Sequence, residues 1–383
     1  MRLAILIHPF GRFGGAERLA ILHAIGLTEA GVDVTMYTDT TLMHREWLSL
    51  LGSKVPVRNL PYGLKGGDVI RDLAPFDRIL IHHHIEPLMA GRIVARYADK
   101  TYWYTDVLRA VWEHKITGED YRQLSPTMLS TAHHFYGKRS WIALRGPMYN
   151  LTVSLLRVLD YATVRRYKGI IANSEYMAEL VRTIYHYPGP MFVAYPAPSL
   201  PASMFKPNYG NGNYVLAVGA LLPNKNHHDL LEAMSLLKEP PTLRIVGDGQ
   251  ERGNLKDQAQ KLGVETEFDP LVTGEELCRI YEGSLFVVIP SLSEPFGMTA
   301  LEGALAGKPS VVTELGGTKE FVLDRETGLV VNPRKTKSFA SAMELLLYDR
   351  HLRKSMGERA RERALTSFTP ESSALALSRA LTP

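Results

Sequence analysis

Two glutamates eight positions apart, Glu294 and Glu302, are the residues whose types and spacing most clearly indicate chemistry. Glu294 follows an apolar strand, Leu285–Pro290, and Glu302 lies about one turn into a helix that we expect to begin near Thr299. The tight turn between them leaves free backbone N–H groups at a helix N-terminus, which favours phosphate or a sugar oxygen. The two carboxylates suit neutral hydroxyls on either side of that anion, such as those of a sugar ring and a ribose. The pattern therefore predicts a nucleotide-sugar site.

Each glutamate also has a purely structural alternative. Thr299-x-x-Glu302 fits a capping box, in which the Glu302 carboxylate accepts a backbone N–H at the helix start. Glu294, which precedes a proline at the end of a strand, fits an ordinary solvated loop acid. The turn, the spacing and the strand together favour the functional interpretation.

The composition is that of a soluble globular protein. The chain has 383 residues, of which 45% are hydrophobic and 22% charged, and this length predicts two domains. Its one cysteine, Cys278, excludes an intramolecular disulfide and favours a reducing compartment. No apolar run is long enough for a signal peptide or a membrane span. We therefore expect a cytoplasmic protein.

Basic residues concentrate between residues 138 and 168, although the net charge of +4 is modest. This segment contains seven basic residues and one acid, Asp160, with aromatic and apolar residues interleaved. A basic helix of this kind can lie on an anionic bilayer, but such helices more often pack their apolar stripe inward. The segment is our candidate for a peripheral contact with the inner face of a membrane. Nucleic-acid binding is not expected, because no recognised binding module accompanies the basic residues.

Apolar runs alternate with helical patterns along the chain, which predicts parallel strands with helices on both faces. The predicted strands of a first series are Leu3–Ile7, Val34–Tyr37, Arg78–Ile81, Thr101–Tyr104 and Ile170–Ala172, with helices that include Ala16–Thr28, Leu88–Tyr97 and Leu151–Arg166. The predicted strands of a second series are Tyr214–Val218, Leu243–Val246, Leu285–Ile289, Ser310–Val312 and Leu329–Val331.

A stretch rich in proline, glycine and asparagine separates the two series, between Tyr195 and Gly212. We therefore divide the chain into two doubly wound, Rossmann-like α/β domains, residues 1–205 and 206–369. The last helix, Pro370–Leu381, is set apart from the second core. In such an architecture the ligand binds at the carboxyl ends of the strands, in the cleft between the domains.

Two glycine-containing loops connect a strand to a helix. The loop after the first strand contains Gly14 and Gly15, but its glycines lack the G-x-G-x-x-G spacing of a dinucleotide site. The loop after the first strand of the second series contains Gly219, which permits close approach of a ligand, and Lys225, which can place a positive charge on a diphosphate. Each loop also fits a structural turn, with Lys225 as a solvated side chain.

Three groups of adjacent histidines raise the question of a metal site. None has the i, i+4 or C-x-x-C spacing of metal ligands, and adjacent histidines in a strand point to opposite faces. The chain also lacks an Asp-x-Asp pair, a common metal–diphosphate ligand. We expect no metal and no other cofactor. The groups are His82–His84 with Glu86, His133–His134 and His227–His228.

These elements resemble the family 4 glycosyltransferases, which are retaining enzymes of the GT-B fold. The likeness covers nearly the whole chain. It is carried by Gly14-Gly15-Ala16-Glu17-Arg18, Leu156-Arg157-x-x-Asp160, Ile170-Ile-Ala-Asn173-Ser174-Glu175, Pro223-Asn-Lys225-Asn226-His227, Ser293-Glu294-Pro295-Phe296-Gly297 with Glu302, Gly316-Gly317-x-x-Glu320 and Thr327-Gly328-Leu329. The resemblance also implies that Pro370–Leu381 crosses back to pack on the first domain.

The resemblance implies roles for the matching residues. Glu294 contacts the donor sugar, aided by the amides of Phe296, Gly297 and Met298. Glu302 binds the ribose hydroxyls. Lys225 neutralises the leaving diphosphate, with the Gly15 amide opposite.

Two positions depart from the family pattern. The usual diphosphate-binding arginine falls at Ala220, and the usual histidine near the reacting sugar falls close to Thr105. The donor phosphate can accept the acceptor's proton in a front-face retaining transfer, so the protein contributes orientation and charge stabilisation. Asp106, near Thr105 and Arg109, is the candidate for positioning the acceptor or stabilising positive charge on the sugar ring. One of His82–His84, with His83 preferred, is the alternative. The structural alternative for Asp106 is an ion pair with Arg109.

The resemblance implies a hexosyltransferase that moves a sugar from a nucleoside diphosphate to a hydroxyl of a glycan or lipid-linked acceptor. The start of the chain looks most like mannosyltransferases, which makes GDP-mannose the preferred donor and a UDP-sugar the alternative. Ala220 and Thr105 leave open a non-catalytic member that binds nucleotide. The absent dinucleotide fingerprint disfavours a nicotinamide-dependent enzyme.

Overall fold

The computed structural model has two compact units. One combines residues 1–195 with 370–383, and the other comprises residues 196–369. The chain therefore enters the second unit after Tyr195 and leaves it before Pro370, whereas the sequence predicts a division near residue 205. The structure describes residues 1–8, 15–39, 51–52, 54–60, 67–83, 85, 87–106, 147–209, 211–292, 294–332 and 335–382.

The first unit is built on a seven-stranded parallel sheet. Its strands are β1 (Arg2–Leu6), β2 (Asp33–Thr38), β3 (Val57–Asn59), β4 (Arg78–His82), β5 (Thr101–Thr105), β6 (Gly169–Ala172) and β7 (Met191–Val193). Their order in the sheet is β3-β2-β1-β4-β5-β6-β7. Alternate side chains of β1 belong to different core clusters, with Leu3 and Ile5 in one and Ala4 and Leu6 in the other. Both faces are thus covered, as parallel sheets require.

Helices provide the cover on both faces of this sheet. The described helices of the unit are α1 (Gly15–Glu29), α2 (Gly67–Asp72), α3 (Pro87–Tyr97), α4 (Pro147–Val164), α5 (Glu175–Tyr185) and, at the end of the chain, α13 (Pro370–Leu381). Met89 of α3 and Val181 of α5 pack on one face, and Leu19 of α1 and Leu377 of α13 pack on the other. The last helix is therefore part of the core of the first unit.

The second unit is built on a six-stranded parallel sheet. Its strands are β8 (Tyr214–Val218), β9 (Thr242–Val246), β10 (Thr266–Asp269), β11 (Ser284–Ile289), β12 (Ser310–Thr313) and β13 (Gly328–Val331). Their order is β10-β9-β8-β11-β12-β13. The described helices are α6 (His227–Ser235), α7 (Arg252–Leu262), α8 (Gly274–Gly283), α9 (Met298–Leu305), α10 (Thr318–Phe321), α11 (Thr336–Tyr348) and α12 (Arg350–Ser367).

Helix α12 is rich in arginine, and three of its arginines, Arg353 with Leu346 O and Leu347 O of α11 among them, bond to the carbonyl ends of other helices. Arg361 donates to Leu305 O at the end of α9, and Arg363 Nη2 donates to Glu320 O in α10, at 2.9 Å. A cation is favourable there because the last carbonyls of a helix lack helical partners and carry the negative end of its dipole. Helix α12 therefore holds α9 and α10 at their carboxyl ends.

The strands predicted from the apolar runs are confirmed, each within one residue of its expected bounds. Three further strands, β3, β7 and β10, are not predicted by the sequence pattern. Each lies at an edge of its sheet.

Candidate functional site

Two loops of the second unit meet at the carboxyl edge of its sheet, where β8 and β11 lie side by side. The loop after β8 starts with Gly219 and contains a short 3-10 helix, Pro223–Lys225. The loop after β11 contains Glu294. A backbone hydrogen bond connects the two loops, in which Leu292 N donates to Asn224 O at 3.0 Å. This edge is the place at which open parallel sheets bind their ligands.

Lys225 and Glu294 form an ion pair across these loops. Lys225 Nζ lies 2.7 Å from Glu294 Oε2, and Ser291 Oγ donates to the same oxygen at 3.0 Å. The two side chains are 25% and 15% exposed, so the pair is shielded but reachable from solvent. Burial, with the nearby charges of Lys225 and His228, lowers the pKa of His227 to about 4. His227 is thus neutral at pH 7, and Lys225 is the cation that this loop presents.

The turn between Glu294 and α9 depends on a glycine. Gly297 is the N-cap residue of α9 with a φ of 85°, a conformation that side-chain-bearing residues rarely adopt. A Cβ at Gly297 would lie 2.6 Å from Thr318 Oγ1, so the turn and the start of α10 are in direct contact. No described side chain caps α9, which leaves the backbone N–H groups of its first turn without a side-chain acceptor.

Helix α9 begins at Met298, one residue before the expected start. Thr299 therefore lies inside the helix and not at its N-cap. The capping-box interpretation of Glu302 is wrong for this reason.

The loop after β12 holds the backbone of Glu294. Gly316 forms a parallel bridge with Glu294, and Gly317 N donates to Glu294 O at 2.8 Å. A Cβ at Gly316 would lie 2.3 Å from Glu294 O, which excludes other residues unless the backbone shifts. The carboxylate of Glu294 is thereby placed by two neighbouring strand ends.

Glu302 is buried, with 5% of the residue exposed. Its Oε1 accepts a hydrogen bond from Ser199 Oγ, and its Oε2 accepts one from Tyr281 OH at 2.8 Å. The carboxylate is therefore oriented by two hydroxyl groups from distant parts of the chain.

The residues that orient the two glutamates are not predicted by the sequence pattern. Ser291 lies within the motif itself, but Ser199 and Tyr281 are far from Glu302 in sequence, and Thr318 is far from Gly297. Serine in a proline-rich stretch and tyrosine in a helix carry no local signal of such a contact. Only the packing of the second unit brings them together.

The first unit holds Gly15, which is predicted to contact the donor diphosphate, and, at the carboxyl edge of its sheet, the residues predicted for the acceptor side. Gly15 is the first residue of α1. Thr105 ends β5 and is fully buried. Asp106 follows it, and its Oδ1 contacts His83 Nδ1. Arg109, the partner of Asp106 in the alternative ion pair, lies outside the described residues.

His83 has a backbone conformation that is uncommon for its residue type. Its φ is 58°, in the left-handed region that costs free energy for residues other than glycine. Three contacts to β5 and its end hold it there: His83 N donates to Tyr104 O at 2.8 Å, Trp103 Nε1 donates to His83 O at 2.8 Å, and Asp106 contacts the ring. Strain held in this manner is typical of functional positions.

Several predicted residues lie outside the described part of the chain. They are Gly14, His84, Glu86, Arg109, His133, His134 and residues 138–146. Among the described residues, no three histidine, cysteine, aspartate or glutamate side chains are grouped as a metal ion would require. Of the helices described, none combines the length and apolar character that crossing a bilayer demands.

The segment around this site matches a known protein family. Residues 202–363 match the family described as glycosyl transferases group 1. An uncharacterized glycosyltransferase of Methanocaldococcus jannaschii is 36% identical over 139 residues, which are 35% of this chain and 36% of that protein. The chain matches this and the other first relatives over less than half of their own length.

Two comparisons extend over nearly the whole chain. A D-inositol 3-phosphate glycosyltransferase of Nocardia farcinica is 26% identical over 379 residues, covering 91% of this chain and 80% of that protein. The crystal structure of Anabaena HepE in complex with UDP and glucose superposes with a TM-score of 0.72 at 18% identity, covering 100% of this chain and 99% of HepE. Residues 202–363 thus match the glycosyl transferases group 1, and the chain has the GT-B fold of two Rossmann-like units.

Proposed function

We propose that this protein is a retaining glycosyltransferase that moves a hexose from a nucleoside-diphosphate sugar to a hydroxyl of a glycan or lipid-linked acceptor. The observation that supports it best is the Lys225–Glu294 ion pair at the carboxyl edge of the second sheet. The pair lies within the segment that matches the glycosyl transferases group 1. A cation and a carboxylate, both partly exposed, suit a diphosphate and the hydroxyls of the sugar attached to it.

Each donor-site residue has a specific task in this proposal. When the donor binds, the Lys225 ammonium pairs with the diphosphate in place of Glu294. Glu294 can then accept hydrogen bonds from sugar hydroxyls. The backbone amides of the turn, from Phe296 to Met298, donate to the sugar or phosphate oxygens. Glu302, already oriented by its two hydroxyl partners, accepts the ribose hydroxyls.

The reaction then requires no protein nucleophile. The bond from the anomeric carbon to the leaving phosphate breaks, and the acceptor oxygen bonds to that carbon on the same face. The acceptor's proton passes to a phosphate oxygen of the leaving diphosphate. Lys225 stabilises the negative charge that develops there, and preorganised charges of this kind contribute most of the rate in such sites.

We place the acceptor at the edge of the first sheet, near His83 and Asp106. The hydrogen bond between their side chains fixes the orientation of the imidazole ring, and the strained backbone of His83 indicates that this orientation matters. Thr105 lies fully buried beneath them. Asp106→Asn tests this placement, because turnover should fall while nucleotide binding persists.

GDP-mannose is the donor we favour, on the likeness of the start of the chain to mannosyltransferases. The structural relative with bound UDP and glucose favours a UDP-sugar as the second candidate. A non-catalytic nucleotide-binding protein is the third, because Ala220 offers no charge to a diphosphate and the Glu302 oxygens already have protein donors. We expect no metal requirement in any of these.

The test is a thermal-shift panel with GDP, UDP, ADP, GDP-mannose and UDP-glucose, in the presence of EDTA. A ligand at 100 times its Kd stabilises the folded state by about 2.7 kcal/mol, which corresponds to roughly 5 to 10 °C for a unit of 150 to 250 residues. One nucleotide family should give this shift without metal. Glu302→Gln should reduce it. This variant keeps the shape of the side chain and an acceptor for one of the hydroxyls of Ser199 and Tyr281, with a donor toward the other, whereas Glu302→Ala would remove both contacts.

Absence of any shift in a folded sample would contradict the proposal. A shift that needs Mg²⁺ would contradict the expectation of metal independence. Nucleotide binding without release of nucleoside diphosphate from either sugar conjugate would favour the non-catalytic candidate.

We also propose that the first unit contacts an anionic membrane through α4. Leu155 and Val158 are 61% and 68% exposed, and Arg157 and Arg166 lie close to them in sequence. An adjacent side of the helix packs on α3, where a Cβ at Gly91 would touch Leu159 and Thr163. Exposed apolar side chains beside arginines are typical of helices that lie in the membrane interface. A cytoplasmic, membrane-peripheral location is part of this proposal.

Sedimentation with vesicles tests the membrane contact. Vesicles with about a third phosphatidylserine should bind the protein more strongly than phosphatidylcholine vesicles, because the surface potential attracts arginine. Since full burial of one such side chain contributes about 1.5 to 3 kcal/mol, the double change Leu155→Ser and Val158→Ser should lower partitioning at least about tenfold. Leu236→Ser, at an exposed leucine of the second unit, is the matched control. Equal binding of both variants would contradict the proposal.

A further inference from the structure

Three phenylalanines form a buried cluster behind the turn of the candidate site. Phe296 belongs to that turn, Phe321 ends α10, and Phe368 follows α12 directly. The ring of Phe368 lies between the others, with centroid distances of 5.7 Å to Phe296 and 5.1 Å to Phe321. All three are at least 96% buried. The edge-on arrangement of Phe321 and Phe368, at 85°, is a favourable aromatic geometry.

Arg363 closes this cluster on the side of α12. Its guanidinium lies 5.3 Å from the centroid of the Phe368 ring, a cation–π distance. The same guanidinium donates through Nε to Phe321 O at 3.0 Å and through Nη2 to Glu320 O at 2.9 Å. One side chain therefore fixes both the Phe368 ring and the carboxyl end of α10.

The cluster supports the site from two directions. Phe296 links it to the turn between Glu294 and Met298. Helix α10 links it to the same turn again, because Thr318 at the other end of that short helix lies against Gly297. The position of the turn thus depends on where Phe368 and Arg363 place Phe296 and α10.

We infer that Phe368 and Arg363 are positioning residues for the turn in its role of binding the sugar of a nucleotide sugar. This inference rests on the proposed function. Neither residue touches the ligand in this scheme. They act through Phe296 and α10, and they come from a part of the chain more than sixty residues beyond the turn.

Glu302 has a separate support, and this makes the inference specific. Ser199 and Tyr281 orient its carboxylate directly, whereas the turn that carries Phe296 depends on the aromatic cluster. Disturbing Phe368 should therefore affect the binding of the sugar more than the binding of the nucleoside diphosphate. A role in general core stability would not produce that separation.

The experiment compares Phe368→Leu and Arg363→Lys with Phe339→Leu, which removes the same atoms from a fully buried phenylalanine of α11. For each variant we would measure the melting temperature, the affinities for UDP, GDP, UDP-glucose and GDP-mannose by calorimetry, and the turnover of the bound sugar nucleotide. All measurements are made at least 15 °C below the melting temperature of the weakest variant.

Phe368→Leu should lower turnover by at least about tenfold, because small displacements of a positioning residue have effects of this size. Its affinity for the free nucleoside diphosphate should change by less than about threefold, and its gain in affinity from the sugar should disappear. Arg363→Lys should show the same pattern more weakly, since lysine keeps the charge but not the paired bonds. Phe339→Leu should lose melting temperature without either change.

Equal turnover and equal sugar dependence in Phe368→Leu and Phe339→Leu would overturn the inference and leave the proposed function standing. Parallel losses of nucleoside and sugar affinity would overturn it as well, because they indicate a loosened unit and not a displaced turn. Absence of nucleotide binding in the wild-type protein would overturn the proposed function, and the inference with it.

Discussion

Replacing Lys225 with alanine should lower the turnover of the nucleotide sugar by about 100- to 1,000-fold, the usual effect of removing one preorganised charge or donor at a developing oxyanion. Lys225 is the cation of its loop, because Ala220 is neutral and burial keeps His227 uncharged at neutral pH, with its pKa lowered to about 4. No second charge of that loop can then replace it. The measurement is the steady-state release of nucleoside diphosphate at pH 7.5.

Glu294→Gln is the matched variant, because it removes the other half of the ion pair and keeps an acceptor for Ser291. Lys225 would then have no carboxylate partner within the pair, so free UDP or GDP should bind equally well or more tightly. The additional affinity contributed by the sugar should be lost together with turnover. In Lys225→Ala, by contrast, free nucleoside diphosphate should bind about 10- to 150-fold more weakly, since charged hydrogen bonds contribute roughly 1.5 to 3 kcal/mol.

Opposite patterns in these two variants would separate the phosphate role from the sugar role. Lys225→Arg should recover part of the affinity, because arginine keeps the charge with a different geometry. Wild-type affinity of Lys225→Ala for nucleoside diphosphate would show that the ion pair is structural and that the diphosphate binds elsewhere.

The sequence predicts the fold well where strands are central in a sheet. Central parallel strands are buried on both faces and appear as continuous apolar runs, as in Val215 to Val218 of β8. The strands not predicted from the sequence, β3, β7 and β10, are edge strands without a fully buried residue. Their segments are short, and two of them, including Thr-Glu-Phe-Asp in β10, have no apolar run, whereas β7 has only the three apolar residues Met191–Val193. They are strands because each forms a parallel ladder with the strand next to it.

For the candidate site, the sequence predicts the residues that form a local pattern within a loop, but not their partners from distant parts of the chain. The glutamate pair, the glycine turn and Lys225 are local patterns with a chemical meaning. The partners of Glu302 are not, because Ser199 and Tyr281 are 103 and 21 residues away from it. The pairing of His83 with Asp106 also depends on the neighbouring positions of β4 and β5, which the order of apolar runs alone does not define.

A second prediction concerns the stability of the first unit, which contains two buried histidines in contact. His23 Nε2 lies 2.9 Å from Ser373 Oγ, and His23 Nδ1 lies 3.0 Å from His82 Nε2. Ser373 Oγ donates to Tyr195 O at 2.6 Å, so it accepts the Nε2 proton of His23. His23 Nδ1 then accepts the Nε2 proton of His82. His82 Nδ1 has no hydrogen-bond partner among the described residues.

Acid should destabilise the first unit through these two groups. Burial lowers the pKa of His23 to about 3, against a smaller opposite effect of Asp106, and burial with the neighbouring histidines lowers the pKa of His82 well below its ordinary value. The unfolded chain binds protons near pH 6.5 and the folded unit does not. Stability is therefore complete above pH 6.5 and falls as the pH decreases toward 3, by about 1.4 kcal/mol per pH unit for each histidine.

Tryptophan fluorescence isolates this effect, because all four tryptophans of the chain belong to residues 1–195. The free energy of unfolding from urea titrations should decrease as the pH is lowered from 7 to 4.5, and the slope should reach at least about two protons below about pH 5.5. His23→Gln keeps a donor and an acceptor without a titrating group, so it should reduce the slope by about one proton, while His351→Gln, at an exposed histidine of the second unit, should not. An unchanged slope in His23→Gln would mean that this histidine accepts a proton in the folded unit, and that the hydrogen-bond chain from His82 to Tyr195 is not what makes the unit sensitive to acid.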